Sequence, residues 1–180
     1  MASSRRRFLL STDGVNMKSA VVAALITAVV ATAVSAKGLT TRITLRDNSL
    51  DTSIDITDPS VLEAFNIWAG PGTYSNDVEG THGFIIDWAA GIARDRPNGL
   101  SRYEVKFYVR YADRSMEELA YVVLYERDPA SRRGFVYLPG RSDEHYGRNV
   151  KAIFRHNLEG NWFHAAEAWD NAVNRLAATR

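Results

Sequence analysis

The chain contains no cysteine. That excludes a disulfide framework, a thiolate metal site, a cysteine nucleophile and a lipid-modified cysteine anchor. Charge of one sign is lacking too: 22 Lys and Arg stand against 21 Asp and Glu, a formal net charge of +1. Without the first 36 residues the count becomes 18 bases and 20 acids, a net of −2. A nucleic-acid binder needs a strongly basic balance, so no nucleic-acid partner is expected. Repeats and low-complexity tracts are absent. So are the nucleotide loops GxGxxG and GxxxxGK[ST], the zinc-protease HExxH and the nucleophile elbow GxSxG. The histidines, His82, His145, His156 and His164, nowhere stand at the i, i+3 or i, i+4 spacing of a helical metal site. No metal and no cofactor is expected.

What the sequence does contain begins with an apolar run of 15 residues, Ala20–Val34, broken only by Thr27 and Thr32. It is too short and too rich in alanine for a good spanning helix. It ends in the small-residue triplets Ala31-Thr32-Ala33 and Val34-Ser35-Ala36, which suit a signal peptidase. Residues 1–36 therefore read as a signal peptide, and 37–180 as one exported globular domain, periplasmic or secreted. Met17-Lys18 directly before the run makes a complete signal by itself, so translation starting at Met17 is one expectation. Ser4-Arg5-Arg6-Arg7-Phe8-Leu9 resembles the twin-arginine export motif, although Asp13, Gly14 and Asn16 separate it from the apolar run. Membrane attachment would come only through an uncleaved signal helix.

The rest of the chain is organised around Leu100–Gly140. Strands show themselves by alternation, because successive side chains point to opposite faces. Tyr103, Val105, Phe107, Val109 and Tyr111 form an apolar row against Glu104, Lys106, Tyr108 and Arg110. Leu119–Glu126 is apolar on both faces, which predicts a central strand with cover on each side. Phe135–Leu138 completes a meander and stops at Pro139-Gly140. Leu39–Arg46 and Ser53–Thr57 read as further strands. Asp58-Pro59 opens a short helix with an N-cap and a proline at its first position, running to Asn66. Phe84–Trp88 and Asn149–Arg155 read as strands. Ala165, Ala166, Trp169, Ala172, Val173 and Leu176 recur at helical spacing, predicting an amphipathic helix over Phe163–Ala177.

The expected fold is α+β: a twisted antiparallel sheet of five to six strands with the meander Tyr103–Leu138 in it. The C-terminal helix is expected on one face, and the short helix and the Trp68 loop on the other. The alternative is a β-sandwich, with Leu39–Thr57 and Phe84–Trp88 in a second sheet.

Two loops carry the candidate chemistry. In one, Trp68 offers a stacking platform, while Gly70, Gly72 and Thr73 offer backbone N–H groups to a ligand. The other, Arg141–His145, sets Arg141 as an anion clamp beside Asp143, Glu144 and His145, weak candidates for acid–base catalysis. The tyrosines of the meander are candidates for stacking, though such rings are more often core. No motif names an activity. The expectation is a non-enzymatic binding or interaction module of the cell envelope, its partner an envelope or extracellular ligand or protein. The alternatives are an envelope hydrolase using Asp143, Glu144 and His145, and a structural subunit that oligomerises through a sheet edge.

Overall fold

The doubly apolar stretch forms the strand on which the sheet is built. The computed structural model describes residues 37–47 and 52–178, so residues 1–36, where a signal peptide is expected, and residues 48–51 lie outside the described residues. The strands are β1 (Leu39–Asp47), β2 (Thr52–Ile56), β3 (Tyr74–Ser75), β4 (Val78–Glu79), β5 (Ser101–Arg110), β6 (Glu118–Arg127), β7 (Gly134–Tyr137) and β8 (Trp162–His164). The helices are α1 (Pro59–Ala64), α2 (Tyr146–Ala152) and α3 (Glu167–Ala178). Six strands form one antiparallel sheet in the order β2-β1-β5-β6-β7-β8, and β3-β4 is a separate hairpin. The protein is thus an α+β fold with an open sheet. Among the described residues the only other sheet is the hairpin β3-β4, and β1 and β2 extend the sheet of the meander, which removes the sandwich.

One face of the sheet carries the core. Phe107 lies between Ile43 and Tyr121, and Val105 between Leu45 and Val123, all of them buried. Alternation fails at the start of β1, where a bulge falls between Thr40 and Arg42. The bulge exchanges the faces before it, so Leu39 is 72% exposed and Thr40 only 5%.

Both α1 and α3 pack on this same face, not on opposite faces as expected. Phe65, after α1, meets Trp169 of α3 edge to face at 5.2 Å, and Trp169 meets Tyr125 of β6 at 6.0 Å. The other face is roofed by its own long side chains. The Arg42 guanidinium lies 3.8 Å from the centre of the Tyr108 ring, and Arg96 lies 4.4 Å from that of Trp162. Glu126, 3% exposed, is held between Arg96 and Arg102. Arginine stems cover apolar surface while their heads stay wet, so a sheet face can be closed without a helix.

Three expected elements change type. Asn149–Arg155 is not a strand: Tyr146–Ala152 is the helix α2, and the chain is extended only from Ile153. Phe84–Trp88 is not a strand either. Ile86 makes a single bridge to Ala165, and Trp88–Ala90 is a 3-10 turn capped by the Asp87 side chain. The C-terminal helix starts at Glu167, because Trp162–His164 leaves the helical pattern to pair with β7, with Phe163 opposite Val136. The gain is burial of Phe163, 2% exposed, in the core. As expected, Asp58 caps α1, accepting from the N–H groups of Ser60 and Val61; the Ser60 hydroxyl first, and then these N–H groups, hold its carboxyl below the ordinary range.

Candidate functional site

The Trp68–Thr73 loop is wound around a buried guanidinium. Arg155, with no exposed surface, donates from Nη2 to Ile67 O at 2.9 Å. Its Nη1 donates to Ala69 O at 3.1 Å and Pro71 O at 2.7 Å. Its Nε donates to the Tyr121 hydroxyl at 3.2 Å. The rings of Phe84, Trp88 and Tyr121 flank it at 4.8, 5.2 and 5.5 Å. No carboxylate forms an ion pair with it among the described residues; carbonyl dipoles and aromatic faces take that place.

The glycines of this loop serve contacts within the chain. A Cβ on Gly70 would enter the Trp88 indole, and one on Gly72 would enter the backbone of Phe154 and Arg155. The N–H of Gly72 donates to Glu79 Oε1 at 2.7 Å, and the N–H and hydroxyl of Thr73 both reach Gly70 O. The cradle read from the sequence is thus filled by the protein's own Arg155 and Glu79.

Trp68 stands differently. It is half-buried, its Nε1 donates to Gly38 O at 2.6 Å, and it forms one wall of a groove of ≈ 650 Å³. Leu39, Pro59 and Leu62 supply the other apolar walls, with Glu63 and Arg110 also lining it. The β2 ladder on β1 reaches no further than Ile43, whereas β5 pairs along β1 to Leu39. The strand beside the groove is therefore paired on one side only among the described residues.

Arg141 is exposed just past the end of β7. That is the same end of the sheet as Trp68, but β7 and β1 are three strand positions apart, roughly 14 Å. The two do not meet in one site. Asp143, Glu144 and His145 do not converge either. Asp143 Oδ2 accepts from Gly140 N at 2.7 Å and from the Tyr137 hydroxyl at 2.8 Å. His145 Nε2 lies 2.8 Å from Glu104 Oε1. Burial pushes the Glu104 carboxyl up, but hydrogen bonds from Lys106 and His145 outweigh it and hold it below the ordinary range. Glu144 and His145 share a cleft of ≈ 520 Å³ with Arg148 and Lys151, which Asp143 does not line. The half-buried tyrosines of the meander are covered as well: Arg42 lies over Tyr108, and Trp162 packs on Tyr137.

A wider basin of ≈ 950 Å³ lies at the other end of the sheet, between the β6–β7 turn and α3. Sequence reasoning missed it, because the turn residues Arg132 and Arg133 and the helix residues Asn171 and Asn174 are far apart in the chain. Its floor is Asp170, which accepts from the Tyr125 hydroxyl at 2.8 Å and from Gly134 N at 3.0 Å. Only glycine fits at position 134, since a Cβ would collide with the Tyr125 ring and the Asp170 carboxylate. Burial raises the Asp170 carboxyl against the pull of those two donors, and burial with the adjacent Asp170 raises the Tyr125 phenol.

A pH test follows. With its folded pKa raised, Asp170 binds its proton more tightly in the native state. Its contribution is full below the ordinary carboxylate pKa, about 4, and is lost as pH rises through the folded value. Asp170→Asn keeps an acceptor for Gly134 N and a donor for the Tyr125 oxygen. It should be at least as stable as the parent at pH 7, and less stabilised on going from pH 7 to pH 4. Urea unfolding at both pH values checks this; a parent-like pH dependence in the variant would refute it.

Comparison with protein-family models, with curated proteins and with solved structures finds no match to this chain. Among the described residues no group of three or more His, Cys, Asp or Glu side chains gathers to hold a metal ion, and no helix is long and apolar enough to cross a membrane.

Proposed function

We propose that the protein is an exported, non-enzymatic binding module of the cell envelope. In this reading it holds an extended peptide segment of an envelope or extracellular partner in the groove between β1, α1 and Trp68. The observation that carries this is the half-paired start of β1 beside apolar walls. An extended peptide gains backbone hydrogen bonds from such an edge and specificity from pockets for alternate side chains. Leu39, 72% exposed although large and apolar, borders the groove at the strand that would be augmented. Export rests on the basic start, the apolar run and the small-residue ends of residues 1–36.

The test uses the full-length protein against a displayed library of random linear peptides. Selected sequences should alternate apolar and polar residues, and Leu39→Asp should weaken their binding at least tenfold with no fall in melting temperature. Selection of no peptide, or peptides that bind Leu39→Asp equally well, would reject the proposal.

A further inference from the structure

We infer that the basin at the other end of the sheet is a second ligand site, which takes a hydroxylated carboxylate of the sugar-acid class. Three observations lead there, none of which involves the groove.

The first is where the cations stand. Arg132 and Arg133 are exposed and line the basin, and neither guanidinium has a hydrogen-bond or ion-pair partner among the described residues. Two of the three carboxylates that line the basin, Asp87 and Asp170, are engaged, and the third, Glu167, stands on the facing wall. Asp170 receives two hydrogen bonds at its oxygens, and Asp87 accepts from the N–H groups of Ala89 and Ala90. The two guanidiniums at the mouth are therefore available to a ligand carboxylate, while Asp170 and Asp87 already accept hydrogen bonds from the fold. Guanidinium forks match a carboxylate with two parallel hydrogen bonds.

The second is that Arg132 holds its position at a cost. Its φ is 59°, in the left-handed region, where glycine or asparagine is at ease and a long side chain is strained. The turn gives it no freedom to relax. Arg132 N donates to Asp128 O at 2.9 Å, Asp128 N to Arg133 O at 3.0 Å, and the Asp128 side chain accepts from Ala130 N and the Ser131 hydroxyl. Strained residues concentrate at binding sites and ligand clamps, and this one stands in a rigid turn at the mouth of a cavity.

The third is the facing wall. Glu167, Asn171 and Asn174 fall at i, i+4 and i+7 on the polar side of α3 and line the basin. Amide and carboxylate groups in a row suit ligand hydroxyls, accepting from some and donating to others. No Phe, Tyr or Trp lines the basin among the described residues, and the His164 ring packs on Phe135, so hydrogen bonds rather than ring stacking would hold the sugar. The Asp170–Tyr125–Gly134 contacts hold the turn and α3 in fixed register, so both walls are pre-formed.

The experiment measures glucuronate binding to the full-length protein by isothermal titration and by amide chemical shifts. Glucose and acetate, each carrying half of the chemistry, are run in parallel. Glucuronate should bind at least tenfold more tightly than either. Arg132→Gly should abolish that binding while leaving the melting temperature equal or higher, because it relieves the left-handed backbone. Arg133→Gln should weaken binding at least tenfold with an unchanged fold, and Leu39→Asp should leave it untouched. Absence of glucuronate binding, acetate binding as tightly, or full binding by Arg132→Gly would each overturn the assignment.

Discussion

Arg155→Met should lower the stability of the domain by about 3–5 kcal/mol. Methionine fills much of the volume, so packing is not the main loss. The loss comes from the partners left behind. Three carbonyls, of Ile67, Ala69 and Pro71, and the Tyr121 hydroxyl would face an apolar side chain, those of Ile67 and Tyr121 buried and those of Ala69 and Pro71 partly so. Each buried acceptor deprived of its donor costs about 1–3 kcal/mol, less where water can enter. A buried ion pair can often be replaced by apolar residues because both partners leave together. Here the acceptors are backbone and cannot be removed. Tyr121→Phe deletes one acceptor only and should cost about 1 kcal/mol. Arg155→Lys keeps the charge but loses the planar fork and should fall between the two. At roughly 3 °C per kcal/mol for a domain of this size, the methionine variant should melt about 10 °C or more below the parent. A loss under about 1 kcal/mol in urea unfolding would mean that the loop does not depend on the guanidinium. The same variant should lose the Trp68 groove, because the loop that carries Trp68 is what Arg155 holds down.

The meander was legible in the sequence because each strand carried its own burial pattern. Leu119–Glu126 needed cover on both faces and has it: Tyr121 and Val123 lie in the main core, while Ala120 and Val122 are equally shut off from water. Helix α1 was legible from one dipeptide, Asp58-Pro59. What stayed hidden has a common cause. Arg155, Asn149, Asp170 and Glu126 are polar residues whose partners lie 24 to 88 positions away, and a polar residue seen alone in a sequence reads as surface. Local pattern carries no information about such pairs. The segment that holds Asn149 and Arg155 was read as a strand for that reason. Val150, Ala152, Ile153 and Phe154 fit two periods about equally, and what decides is the task of Asn149. The glycines of the Trp68 loop were legible as points of close approach, but the approaching group was the protein itself. The placement of both α1 and α3 on one sheet face was beyond reach for a similar reason: covering the other face with arginines requires knowing which arginines stand over which rings.

Asn149→Ala should cost about 3 kcal/mol, and its signature should be local to β6. Strand β7 pairs with β6 only from Leu124 to Arg127, so among the described residues the edge of β6 before Leu124 has no neighbouring strand on that side. The Asn149 side chain, 1% exposed, takes the place of one. Its Nδ2 donates to Val122 O at 2.7 Å and its Oδ1 accepts from Val122 N at 2.9 Å, as a peptide unit of a partner strand would. Alanine leaves one donor and one acceptor unpaired in the core. Native-state hydrogen exchange should show protection at the Val122 amide falling well beyond the global loss of stability, because the edge opens without unfolding the domain. Asn149→Asp separates the two bonds. A carboxylate can accept from Val122 N but repels Val122 O, whereas the protonated acid can serve both. Burial raises the folded pKa of that carboxyl, so its stabilising form is complete below about pH 4 and is lost as pH rises. The variant should therefore be closest to the parent at low pH and furthest from it at neutral pH. If the Val122 amide kept its protection in Asn149→Ala, the side chain would not be closing this edge, and α2 would be held by Ile153 in the core and by the Arg148 bond to Leu119 O instead.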